Sequence, residues 1–162
     1  MGVSGCGKST IAALLAGRLG WPFAEGDDLH PPENVAKMHA GHPLADEDRR
    51  PWLERIAAWI DDQIAAGCSA VVTCSALKRS YRDVLRREQV TFVYLRGEYE
   101  QIAQRLAGRA GHFMPAALLA SQFADLEPPA SDEHALSVDI GSSPVALADE
   151  IVSMLGLARQ PR

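Results

Sequence analysis

Several features are absent or scarce in this 162-residue chain, and each absence narrows its function. It holds three cysteines, Cys6, Cys68 and Cys74, and no C-x-x-C pair. An odd, scattered set excludes a disulfide framework and a zinc knuckle, and it fits a reducing cytosol. No apolar run approaches the roughly 18–20 residues that span a bilayer. The longest near the start is Ile11 to Ala16. No charged segment followed by an apolar one opens the chain, so no signal peptide is expected. A net charge of −5 argues against nucleic-acid binding through bulk positive charge. No internal repeat, low-complexity segment, Ser-His-Asp set or metal-ligand cluster stands out.

What is present is an ordinary globular composition, 47% hydrophobic and 23% charged. The length fits one domain spanning 1–162, large enough to bury a core without staples. Charge is uneven along it. Residues 78–109 hold eight of the sixteen basic residues against four acids. A local positive surplus inside an acidic protein suits a confined anionic ligand.

Periodicity alternates between helix-like and strand-like segments. Helices are expected at 9–19, 32–39, 46–66, 78–88, 98–108, 115–123 and 145–155. In the helix from 46, Pro51 places the start of the regular part near itself. Strands are expected at 21–24, 68–75, 90–95 and 136–140, the second an apolar run of the kind buried in parallel sheets. Such alternation indicates an α/β fold with a mainly parallel sheet.

Gly2-Val3-Ser4-Gly5-Cys6-Gly7-Lys8-Ser9 fits G-x-x-x-x-G-K-[ST] and runs directly into a helix. Its glycines let backbone N–H groups turn inward, and the helix N-terminus completes an anion cradle. The expected nucleotide contacts are Gly2, Ser4, Gly5, Cys6, Gly7, Lys8, Ser9 and Thr10. Lys8 reaches the β- and γ-phosphates, and the Ser9 hydroxyl helps to hold Mg²⁺. ATP and Mg²⁺ are therefore the expected cofactors. A phosphate loop normally follows a buried strand, yet Gly2 is the second residue here. The expectation is a fold whose first strand lies before an internal methionine.

The loop alone does not separate kinases from other nucleotide hydrolases. No N-K-x-D guanine signature is present, and strand 70–74 ends in Thr73-Cys74-Ser75 without a carboxylate. A small-molecule kinase fits best. Phosphoryl transfer to a hydroxyl needs a carboxylate that accepts its proton. Asp27, in Glu25-Gly26-Asp27-Asp28-Leu29-His30-Pro31, is the candidate, and Glu25 is a candidate to position Mg²⁺ through water.

Beyond the loop, the chain carries Gly26-Asp27-Asp28-Leu29-His30-Pro31-Pro32-Glu33-Asn34, Lys37-Met38, Pro43-Leu44, Asp46-Glu47-Asp48-Arg49 and Pro51-Trp52-Leu53. Cys74-Ser75-Ala76-Leu77-Lys78, Tyr81-Arg82-Asp83 and Gly111-His112-Phe113-Met114 follow in order. This set strongly resembles the bacterial gluconate kinase (gluconokinase) family, from Gly2 to about Pro128. The resemblance implies ATP-dependent phosphorylation of D-gluconate to 6-phosphogluconate. It implies a P-loop, nucleoside-monophosphate-kinase-like three-layer fold with a mobile lid, here at about 105–123. It also implies a cytoplasmic location and a homodimer.

The residue types suit that substrate, a polyol with a carboxylate at one end. Arg grips carboxylates in a two-pronged manner. Arg49 and Arg82 are candidates for this, each equally readable as a surface residue. Asp27, His30, Asn34 and His42 offer acceptors and donors to the hydroxyls. Lys78, just past a strand end, is placed to touch the substrate or the transferring phosphoryl group. Arg105 and Arg109 are four apart on one helix face and suit neutralising charge on the γ-phosphoryl. His112 and Gln122 are further substrate candidates, and Gly108 and Gly111 give hinge freedom. The loop Gly141–Pro144 is expected beside the adenine. Two rivals remain: a shikimate-kinase-like or nucleotide kinase, and a catalytically silent nucleotide-binding protein.

Overall fold

The computed structural model describes residues 1–108 and 116–157. Helices cover both faces of a parallel sheet assembled in two halves. The first half pairs β1 (Phe23–Ala24) with β2 (Val71–Val72), and the second pairs β3 (Phe92–Arg96) with β4 (Ala135–Asp139). Both pairs run parallel, with Phe23 opposite Val71 and Phe92 opposite Ala135.

Met1 and Gly2 join the halves. The Met1 amine donates to Val93 O (2.6 Å), and Leu95 N–H donates to Met1 O (3.0 Å). On the other side Gly2 N–H donates to Ser75 O (3.1 Å). Met1 and the first residue of the phosphate loop therefore hold a central ladder position. Away from Met1 the halves part around a cavity of about 660 Å³. Leu15, Trp59, Ile60, Val71, Val93 and Ile151 are among its walls. β2 is shorter than the apolar run at 68–75: only Val71 and Val72 stand opposite β1 residues.

The helices lie close to their expected places. They are α1 (Lys8–Leu19), α2 (Pro32–His39), α3 (Asp46–Ala65), α4 (Arg79–Leu85), α5 (Tyr99–Ala107), α6 (Ala116–Asp125) and α7 (Pro144–Met154). One expectation fails: α3 begins at Asp46 and runs through Pro51. Asp46, Glu47 and Asp48 crowd its first turn, where carboxylates suit the helix dipole. Asp48 also accepts a hydrogen bond from Ala45 N–H at 2.7 Å. These contacts offset the one backbone bond that proline removes.

Two apolar clusters sandwich the sheet. One gathers Ile11, Leu15, Leu95, Ile102, Leu119, Val138 and Leu147. The other gathers Trp52, Ile56, Ile60, Tyr81, Leu85 and Phe92. Phe92 and Leu95 face opposite clusters, as strand alternation requires. Among the described residues, no helix is long and apolar enough to cross a membrane.

Candidate active site

The phosphate loop turns as its glycines predict. Gly2, Gly5 and Gly7 have φ of 142°, 83° and 104°, a region that side chains strongly disfavour. At Gly5 a Cβ would lie 2.8 Å from the Leu106 side chain, so glycine also permits the close approach of α5. No side chain caps α1 at Gly7. The first amides of α1 are left to meet an anion, and Ser9 and Thr10 stand exposed beside them. The Lys8 ammonium donates to Gly2 O and Val3 O (both 3.1 Å) and so spans the loop. Cys6 is buried, and its N–H is turned to Val3 O at 3.3 Å, so its share in the cradle is small. These uncapped amides, lysine and hydroxyl fit a Mg²⁺-bound nucleotide polyphosphate.

Beside this loop lies a cavity of about 260 Å³, walled by Gly5, Gly7, Thr10, Arg105, Ser142 and Pro144 among others. Arg105 donates to the Ile140 carbonyl, which holds it at this end of the loop. Ser142 and Pro144 thus share this cavity with Gly5, Gly7 and Thr10 of the phosphate loop. Arg109 and His112 lie outside the described residues.

Across the sheet edge, a short 3-10 turn (Gly26–Leu29) presents Asp27 to solvent. The turn is anchored from below. Gly26 N–H donates to Thr73 Oγ (3.0 Å), and the Trp52 indole N–H donates to Gly26 O (2.7 Å). The Thr73 hydroxyl donates to the Glu25 carboxylate. That bond ties Glu25 to the sheet. Buried Cys74 lies behind and feels both Asp27 and Lys8, while burial pushes its thiol up to about 12. It is not a nucleophile at neutral pH.

His30 stacks on Trp52, with ring centres 4.3 Å apart. Asn34, itself buried, places its Nδ2 3.3 Å from His30 Nδ1 and donates to Asp48 O at 2.7 Å. Burial lowers the His30 pKa, Asp27 raises it and Arg49 lowers it. Asp27 and Arg49 thus both act electrostatically on His30, which Asn34 touches directly. Asn34 acts on His30 more directly than on open space.

Arg49 and Lys78 form a cation pair around Tyr81. Arg49 donates to the Tyr81 hydroxyl (2.9 Å), and that hydroxyl donates to Asp46. Lys78 donates to both Asp46 oxygens (3.0 and 3.2 Å). Both cations lie over the Tyr81 ring, 5.5 and 5.6 Å from its centre. The Tyr81 and Lys78 hydrogen bonds hold the Asp46 carboxyl below its ordinary range, and Asp46 in turn raises Lys78. Asp125 stands 3.7 Å from Arg49 and 3.8 Å from Lys78.

Arg82 is elsewhere. Its side chain is 1% exposed, and it donates to Glu133 at 2.5 and 2.9 Å and to the carbonyls of Ala76 and Leu77. It is a buried brace, and it does not reach the cluster where sequence reasoning put it. Gln122 is also displaced from the substrate end, because its Oε1 accepts from Ser4 N–H in the phosphate loop (2.6 Å). Sequence reasoning missed Asp46, Tyr81 and Asp125 as site residues. Asp46 also lies 3.8 Å from Arg49 three residues on, but the bonds that tie it to Tyr81 and Lys78 join residues 32 or more apart, for which the chain carries no local signal.

The shikimate kinase family model matches residues 4–153. A gluconokinase of Gluconobacter oxydans is 51% identical over 154 residues, covering 94% of this chain and 86% of that protein. The chain belongs to the gluconokinase family. Among solved structures, a gluconokinase from Sinorhizobium meliloti superposes with a TM-score of 0.85 at 45% identity. That match covers 96% of this chain and 89% of the other. A sugar kinase from Janibacter sp. gives 0.90 at 49%, covering 98% and 92%. The protein is thus a kinase with the α/β P-loop fold. Identity at this level to named gluconokinases disfavours the shikimate-kinase and silent-binder alternatives.

Proposed function

We propose that the protein transfers the γ-phosphoryl group of ATP to the 6-hydroxyl of D-gluconate, giving 6-phospho-D-gluconate. One observation carries this reading. The turn that carries Asp27 and the start of the phosphate loop hang on Thr73 and Ser75 at one sheet edge, and Asn34 links His30 to Asp48, next to the Arg49–Lys78 pair over Tyr81. That order suits an acceptor with a hydroxyl at one end and a carboxylate at the other.

In this reading the loop Gly2–Thr10 holds the phosphates, with the base toward Arg105 and Ser142. Ser9 is the protein's own ligand to Mg²⁺, which when bound neutralises phosphate charge. Asp27 accepts the proton of the attacking hydroxyl. His30, oriented by Trp52 and Asn34, contacts the acceptor's hydroxyls. Arg49 and Lys78 take its carboxylate. Arg105 stands at the nucleotide end, and its cationic partner Arg109 belongs to the same proposal. Catalysis then rests on alignment and charge stabilisation. The motif resemblance extends the reading to a homodimer in the cytoplasm; sedimentation of the purified protein tests the dimer, and cell fractionation the location.

The deciding assay is coupled ADP release with Mg²⁺·ATP, comparing gluconate, shikimate, nucleoside monophosphates and no acceptor. Turnover dependent on gluconate is expected. Preference for another acceptor, or nucleotide binding without gluconate-dependent release, overturns the assignment.

A further inference from the structure

Helix α6 touches both ends of the site with residues three apart. Gln122 places its side-chain oxygen on Ser4 N–H at 2.6 Å. Asp125 places its carboxylate between Arg49 and Lys78, 3.7 and 3.8 Å away. A spacing of three puts both on one side of the helix. Each oxygen sits where the reading above needs an oxygen of a ligand: a nucleotide phosphate on the loop amide, and the acceptor's carboxylate on the cation pair.

We propose that α6 couples the two substrates, with Gln122 and Asp125 competing for the places that their oxygens take. This rests on the proposed function above. A neutral amide oxygen is a weaker acceptor than a charged phosphate oxygen, so nucleotide displaces Gln122. Asp125 lies beyond hydrogen-bond distance from both cations, and a carboxylate that bonds them directly displaces it. Leu119 in the core and the Phe123 ring, edge-on to Tyr99 at 5.4 Å, keep α6 packed as one body. Releasing one tie therefore loosens the other. Each substrate raises affinity for its partner, by the same factor in both directions. Gln122 and Asp125 are positioning residues in this scheme, acting through the loop and through the cation pair.

The test is calorimetric titration of gluconate with and without a saturating non-hydrolysable ATP analogue and Mg²⁺. Affinity for gluconate is expected to rise about fivefold with the analogue present, with a reciprocal gain for the analogue. Asp125→Asn keeps the shape and removes the charge. It should tighten gluconate binding to the nucleotide-free enzyme and bring the ratio toward one. Gln122→Ala should also bring it toward one. Gln122→Glu, whose charge competes with phosphate, should weaken analogue binding. Independent binding in a wild-type enzyme that phosphorylates gluconate overturns the coupling and leaves the activity standing. An unchanged ratio in both neutral variants, or weaker gluconate binding by Asp125→Asn, overturns it too. Absence of gluconate-dependent ADP release overturns the activity itself and the coupling with it.

Discussion

The Arg82–Glu133 pair offers a stringent test of how this fold builds its site. Arg82→Met keeps the length of the side chain and removes the guanidinium. Four hydrogen bonds go: two to Glu133 and one each to Ala76 O and Leu77 O. The Glu133 side chain, 3% exposed, is left as a buried carboxylate without its cation. Removing one partner of such a pair costs about 3–5 kcal/mol. A second route gives a similar figure. The Arg82 hydrogen bonds pull the Glu133 pKa from 4.5 down to about 2, against the opposing effect of burial. A shift of that size corresponds to about 3 kcal/mol at neutral pH. For a chain of this length the melting temperature should fall by about 10 °C.

The pH dependence carries a sign. In the wild type the depressed Glu133 pKa contributes stability above 4.5, and this is lost as pH falls toward 2. In Arg82→Met the unpaired carboxyl titrates above its unfolded value, so low pH relieves the burial of charge. The gap between the two proteins should narrow from pH 7 to pH 4. Urea unfolding at both pH values reads this as a shift in midpoint at constant slope. The double variant Arg82→Met with Glu133→Gln should recover most of the stability. A loss below about 1 kcal/mol, the size of an exposed pair, refutes the reasoning. So does a gap that ignores pH. The folded double variant should keep kcat/KM for gluconate near wild type, and a large rise in KM would return Arg82 to the substrate.

Other predictions follow from single contacts. Gly26→Ala would drive a Cβ into Thr73 O, where backbone meets backbone, and should cost about 3 kcal/mol, the upper end for overpacking, in urea unfolding. Asp27→Asn should lower kcat about 10²–10⁴-fold with the circular dichroism spectrum unchanged, and near-normal turnover would remove Asp27 as the base. Lys8→Ala should lower turnover about 10²–10³-fold in the same assay, as loss of a charge-stabilising donor does.

The phosphate loop was legible because its chemistry is local. Glycine spacing and Lys8 are contained in the eight residues Gly2–Ser9, and the helix runs directly on from them. The helices were legible for the same reason, since apolar periodicity and Gly20 are contained in each segment. Asp27 and His30 could be named as site residues from a short motif, but their setting on Trp52, Thr73 and Asn34 could not. Pro51 misled because proline's local cost is real, while the contacts that offset it at Asp48 and Ala45 show only in the folded helix. What the tertiary structure alone decided is which arginine serves where. Arg49 and Arg82 look alike in sequence. One stays partly exposed over Tyr81, and the other is enclosed by Glu133, fifty-one residues away. A side chain's partner across such a distance depends on strand order and helix packing, and residue spacing does not encode these locally.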